Sequence, residues 1–155
     1  VVIAVQDIRA AYWQPRLSHL GEIVEDVEDI HQCLTVILTT QQGSDALRPD
    51  FALNLMDYVD RPIGDVSAGL ITDIIDAVTR WEQRCQILKA EVTAEAPATL
   101  ILSLTWRPVN AANSGTRAYL TTVEIAPVTG TAPDEFVTIP FLASLTVAAV
   151  DGGTF

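Results

Sequence analysis

Basic residues are scarce in this chain: nine lysines and arginines stand against twenty aspartates and glutamates, a net charge of -11 over 155 residues. An acidic surface repels phosphate, so nucleic acid and anionic membranes are both unsuitable partners. Histidine and cysteine are rarer still, with two of each. His19 and His31 are too few and too poorly placed for a metal cluster, and Cys33 and Cys85 follow no zinc or disulfide spacing. Two such thiols fit a reducing compartment. There is no Gly-x-Ser-x-Gly elbow and no glycine-rich phosphate loop, so the glycines read as turn formers. Long apolar runs are also missing. The stretch Val1 to Val5 is short and has no basic residue before it, a poor signal peptide. The stretch Val137 to Val150 is interrupted by Pro140 and is too short to span a bilayer. These absences lead to the expectation of a soluble, cytoplasmic protein without a bound cofactor.

What the chain does have is apolar bulk. Hydrophobic residues make up 49% and charged residues 19%, which excludes a disordered chain and supplies one core of ordinary size. The figures are high for a lone monomer, so part of the apolar surface is expected to meet other subunits. The acids are scattered except for a denser patch at Glu22, Glu25, Asp26, Glu28 and Asp29. That patch reads as a solvated helix start, or as a docking site for a basic neighbour.

Periodicity divides the chain into an N-terminal arm (residues 1–20), a domain (21–125) and a tail (126–155). In the arm, Tyr12, Trp13 and Pro15 show no clear period; Leu20 to Val24 suits a short strand. From Asp26, a plausible N-cap, Val27, Ile30, Cys33, Leu34, Ile37 and Leu38 recur at spacings of three and four, the stripe of an amphipathic helix. Pro49 suits the first turn of a second, shorter helix carrying Phe51, Leu55 and Val59 inward, broken by Arg61 to Gly64. Val66, Leu70, Ile71, Ile74, Ile75, Val78 and Trp81 predict one apolar face of a third helix. The period then drops to two. Leu88, Ala90 and Val92 should face one way, and Lys89, Glu91 and Thr93 the other. After a turn at residues 96–98, Leu100, Leu102, Leu104 and Trp106 alternate with polar residues, Ile101 being an apolar exception. A loop from Asn110 to Gly115 leads to a third strand over Thr116 to Ile125. The expected fold is α+β, three helices packed on an antiparallel β-meander with extended N- and C-terminal arms. The tail holds two β-prone pieces. It can fold back as an edge strand or add to a neighbour's sheet.

Two short motifs carry the functional question. In Arg80-Trp81-Glu82-Gln83-Arg84-Cys85, a helix ends and a strand begins. Trp81 closes an apolar stripe, while Glu82 and Arg84 form either a local ion pair or a fixed pair offered to a partner subunit. In Arg48-Pro49-Asp50-Phe51 a loop enters a helix, and Arg48 is either free or ties the loop down; Arg48, Pro49 and Asp50 form a second candidate interface. Enzymatic readings are thin. Glu82 with Asp50 or Asp57 would serve a glycosidase only if they faced each other across a cleft. His31 and Cys33, two residues apart on a helix, do not face each other.

These motifs, in this order, resemble the sheath-initiator (baseplate wedge) family of contractile phage tails, once described as lysozyme-like. The likeness runs from about Glu22 to Arg107. It comprises the helix into Leu38-Thr39-Thr40, the Gly43-containing loop, Arg48 to Phe51, the long helix into the corner and the strand Leu100 to Trp106. The family corner reads Trp-Glu-Pro-Arg, with Gln83 here in place of proline and Ala52 where a glycine usually follows the phenylalanine. The resemblance implies a non-enzymatic part of the tail baseplate in the virion, assembled in the host cytoplasm. Glu82, Gln83 and Arg84 would dock it on the helical core bundle of the wedge. Its strands and tail would nucleate polymerisation of the tail sheath protein by strand exchange, with tail tube or hub proteins as further partners. A type VI secretion or phage-derived contractile particle would use the same part; a peptidoglycan-cleaving muramidase is the distant alternative.

Overall fold

A computed structural model describes residues 8, 10–17, 19–58, 63–95, 99–109 and 118–125. The elements run β1 (Trp13–Pro15), β2 (Ile23–Glu25), α1 (Asp26–Thr39), a 3-10 turn (Leu55–Tyr58), α2 (Ile63–Trp81), β3 (Cys85–Glu95), β4 (Thr99–Pro108) and β5 (Tyr119–Ile125). The expected turn at 96–98, the loop at 110–115 and the tail from 126 lie outside the described residues, as does Val59.

The helices lie side by side on one face of the sheet β3-β4-β5, α2 over β3 and α1 over β5. α1 buries Ile30, Leu34, Ile37 and Leu38, the stripe its spacing requires. Asp26 does not cap it. The N-cap position is the extended Glu25, which makes no side-chain cap bond, and Asp26 itself has φ 49°. The chain leaves β2 directly into the helix, and the Asp26 N–H is already held by the Tyr12 carbonyl at 3.2 Å. Aspartate is among the residues that best tolerate such a φ.

Among the described residues two regular helices are present, not three. Between α1 and the 3-10 turn the chain is a loop, tied back by a parallel bridge of Gln41 to Leu53. Its amides are used in turns: Leu47 N–H donates to Asp45 Oδ1 (2.9 Å), Arg48 N–H to Asp45 O (3.1 Å) and Phe51 N–H to Arg48 O (2.9 Å). Ala52, at φ 71°, then reverses the backbone, which a continuing helix forbids. Phe51 and Leu55 nevertheless pack on the core, so the inward anchors were legible although their helix was not.

In α2, Leu70, Ile74, Ala77 and Val78 are buried, while Ile75 turns out to be 39% exposed. One residue is a 100° step, which carries Ile75 off the face centred on Ile74. The sheet is an antiparallel meander, with pairs such as Ala90 and Leu104, and Leu104 and Thr121. Its register shifts between Ile87 and Lys89, so Leu88 is a bulge residue and is half exposed. The extra residue reverses the alternation: Cys85 and Ile87 face the helices before it, Ala90 and Val92 after it. The expectation that Leu88 shares the face of Ala90 fails for that reason. In β4, Leu102, Leu104 and Trp106 are fully buried, as the alternation predicts.

One polar chain crosses this core. The Trp106 indole N–H donates to Thr121 Oγ1 at 2.8 Å, and the same oxygen lies 2.6 Å from His31 Nδ1 on α1. Burial holds His31 below the usual imidazole range, outweighing the nearby Glu28, so the ring is neutral at pH 7. Among the described residues no helix is long and apolar enough to cross a membrane.

Two outcomes follow from these local constraints. Because the unfolded His31 takes up a proton before the folded one does, stability should be full above pH about 6.5 and fall as acid is added through the folded value. Urea midpoints at pH 7.5 and 5.5 should show that fall, and His31→Gln should lack it. At Ala52, glycine would relieve about 1–2 kcal/mol of left-handed strain but give up a buried methyl and chain entropy of similar size. Ala52→Gly should therefore change stability by less than about 1 kcal/mol, whereas branched Ala52→Val should lose several times that in the same urea titration.

Candidate functional site

The corner is built by the end of α2. The Glu82 N–H closes the last turn on Val78 O at 2.8 Å, Gln83 and Arg84 turn, and β3 begins at Cys85. A bond from Val109 N–H to Arg84 O (2.8 Å) fastens the corner to the far end of β4. Its charged pair is not exposed. Only 5% of the Glu82 side chain and 27% of the Arg84 side chain meet solvent. Glu82 Oε1 accepts the Arg84 backbone N–H (3.0 Å) and Nε–H (2.8 Å), and Oε2 accepts Nη2–H (2.6 Å).

Arg84 then reaches across the fold. Its Nη1 pairs with Asp29 of α1, whose side chain is 5% exposed. Its Nη2 approaches Cys33 Sγ at 3.4 Å, and the guanidinium lies 5.1 Å from the centroid of the Tyr12 ring. Gln14 of β1 completes the cluster, donating to Asp29 O (3.0 Å) and to Cys33 Sγ (3.4 Å). One cation thus binds two buried carboxylates and joins α1, the end of α2, the start of β3 and the N-terminal hairpin that β1 and β2 form by antiparallel pairing. Burial pushes the Glu82 carboxyl up, but the hydrogen bonds and charge of Arg84 outweigh it and hold it below the usual range. The same bonds drive Arg84 further up against the cost of burial.

Of the sequence candidates, Glu82 and Arg84 are joined here and Gln83 stands exposed between them. Asp29 is the residue that sequence reasoning placed wrongly, in a solvated acidic patch. Its signal was there: it sits one turn before Cys33, on the edge of the apolar stripe. The second motif adjoins the first. Arg48 is tied down, its Nε–H bonding Asp45 Oδ2 at 2.9 Å and its guanidinium lying 4.6 Å from the Phe51 centroid. Phe51 packs edge-on against Trp81 with centroids 5.1 Å apart, and Asp50 pairs with Arg80, which lies over the Trp81 ring.

The pairing of Glu82 with Asp50 or Asp57 that a glycosidase would need is not formed. Glu82, ionised and clamped by Arg84, has no proton to donate. Asp50 and Asp57 line a cleft of about 280 Å³ beside Asp73, Asp76 and Arg80, which Glu82 does not enter. Burial pushes the Cys85 thiol up to about 12, and burial with Glu82 and Asp29 raises Cys33, so neither is a thiolate at neutral pH. No group of three metal-ligating side chains occurs among the described residues.

A small α+β domain whose buried charges brace a single corner has the makings of an assembly component. The chain belongs to the family of baseplate wedge protein gp25, whose family model matches residues 24–108. A crystal structure from Geobacter sulfurreducens, provisionally named a tail lysozyme, is similar with a TM-score of 0.53 and 26% identity, over 63% of this chain and 86% of that one. A chain of the post-contraction pyocin R2 baseplate has a TM-score of 0.55 and 22% identity, over 64% of this chain and 100% of its own. One of the anti-feeding prophage baseplate has a TM-score of 0.53 and 19% identity, over 67% and 86% respectively. The likeness to these last two is one of fold. No curated protein matches the chain significantly. Membership of the family makes the protein a structural baseplate component, assembled with other baseplate proteins.

Removing the cation leaves two buried carboxylates without a counter-charge. Arg84→Met should lose about 3 kcal/mol in urea denaturation at pH 7. Arg84→Lys should recover only part of it, since one ammonium cannot bridge both acids and also cover Tyr12. The contribution from Glu82 is present above the usual carboxylate range and lost as pH falls through its lowered folded value. The gap between wild type and Arg84→Met should therefore narrow below about pH 4.5.

Proposed function

We propose that this protein is a non-enzymatic sheath initiator, docking on the core bundle of the baseplate wedge through the corner Glu82-Gln83-Arg84. The observation that carries this reading is the buried cluster of Glu82, Arg84 and Asp29, which gives a surface corner one fixed shape before any partner arrives. Within the corner the roles differ. Glu82 is too buried to be touched directly and acts by holding Arg84. Gln83 is the exposed tip, and Arg84 contributes its open quarter. Arg48, Pro49 and Asp50, all exposed and joined to the corner through Phe51 and Trp81, extend the same side of the molecule.

The strands from Cys85 to Ile125 and the tail after Ala126 would then meet the tail sheath protein. What supports this is the short meander, whose β3 and β5 have no second neighbour among the described residues and so present edges for strand addition. Tube or hub proteins would complete the surroundings, in a phage virion or a related contractile particle.

The test must spare the fold. Arg84→Glu would place three carboxylates in one buried cluster and report on folding rather than docking. Gln83→Trp changes only the exposed tip. Electron microscopy of tails assembled with it should show naked tubes above baseplates that lack the subunit; fully sheathed, contractile tails would remove the corner from the docking interface. The purified protein should leave a peptidoglycan suspension turbid, and clearing would restore the muramidase reading.

A further inference from the structure

The N-terminal hairpin has two faces, and only one is accounted for. In the β1–β2 register Gln14 lies opposite Val24, Trp13 opposite Glu25 and Pro15 opposite Ile23. Gln14 and Val24 face the body: Val24 is 3% exposed, and Gln14 bonds to α1. Alternation therefore turns Trp13, Pro15 and Ile23 away from it. This outward face continues into Leu17 and Leu20, and the exposures of Trp13, Leu17 and Leu20 are 42%, 51% and 105%.

The face is rigidly presented. Arg16 N–H donates to Glu22 O (3.0 Å), and Gln32 of α1 holds both Leu17 N–H (2.9 Å) and Pro15 O (2.8 Å). Glu25 lies opposite Trp13 on this face, and Glu22, Asp26 and Glu28, also exposed, border it along the chain. The one cation there among the described residues, Arg16, is engaged by Glu22 (3.2 Å) and Glu28 (2.8 Å). An ordered tryptophan with leucines inside an acidic rim has the anatomy of an interface, an apolar centre bordered by charge. The rim selects the occupant. A second copy of this chain, at net charge -11, would be repelled, and so would an anionic bilayer. β1 also precedes the span 24–108 shared with the family, so this surface is distinct from the corner, although Tyr12 adjoins both.

We propose that the outward face of the β1–β2 hairpin docks a protein segment that is apolar along its centre and carries lysine or arginine on its flanks.

A photo-cross-linking residue at position 20, and separately at 83, in particles assembled within producing cells tests this. Position 20 should capture a baseplate protein through an apolar peptide with basic residues on both sides. Trp13→Ser/Leu20→Ser, competed against wild type in the same cells, should be about tenfold depleted from purified particles, with its urea melt unchanged. Leu20→Ser alone, at a fully exposed site, should show part of that depletion. Incorporation at parity would overturn the proposal, as would capture of an acidic peptide, of a second copy of this chain, or of nothing at position 20. Binding of the purified protein to phosphatidylglycerol vesicles that the double variant loses would overturn it in favour of lipid. A cross-link from 83 without one from 20 sinks this surface and leaves corner docking standing; the reverse result separates them the other way.

Discussion

One guanidinium holds this molecule's parts in register. Arg84 is bound to a carboxylate two residues back along the chain and to another on a helix 55 residues away, and it covers an aromatic ring of the hairpin. In a chain with nine basic residues, committing one of them to the interior is a substantial fraction of its cations. The two acids it serves would otherwise be buried charges with no partner, which is far costlier than a lost surface pair. The cluster therefore gives specificity more than net stability: α1, α2 and β3 can meet in many apolar arrangements, but only one brings both carboxylates to the same arginine.

The structure explains why some of this was legible and some was not. Both long helices and the strand from Leu100 to Trp106 show in the sequence because each repeats its period over several turns or residue pairs. The corner shows for a related reason, since Trp81 ends one period and another begins just beyond. What escapes is whatever depends on a single residue or a distant partner. Ala52 breaks a helix that Pro49 invites. Leu88 inverts a strand whose pattern reads as unbroken. β1 is three residues, too short to establish a period, whereas β2 overlaps the short strand expected over Leu20 to Val24. Asp29 reads as one more acid of a helical first turn, and only its place on the edge of the apolar stripe hints at a partner 55 residues away.

Membership of the gp25 baseplate wedge family suits these features physically. A baseplate component is one part of a larger assembly, and two polar ties of this domain run through its interior. The His31-Thr121-Trp106 chain ties α1 to two strands, and the Arg84 cluster ties it to the third strand and to α2. Both ties start on α1, at positions two residues apart. That helix is the common frame of the sheet, the corner and the hairpin.

Gln83, standing where the family usually has proline, changes when the corner comes into being. A proline ring would restrict the turn in a nascent chain still leaving the ribosome. Here the turn is held partly by Glu82, two residues back, and partly by contacts of residue 84 with residues 12, 29 and 33, which exist only once helix, hairpin and strand have docked. The corner therefore takes its full shape only with the folded domain.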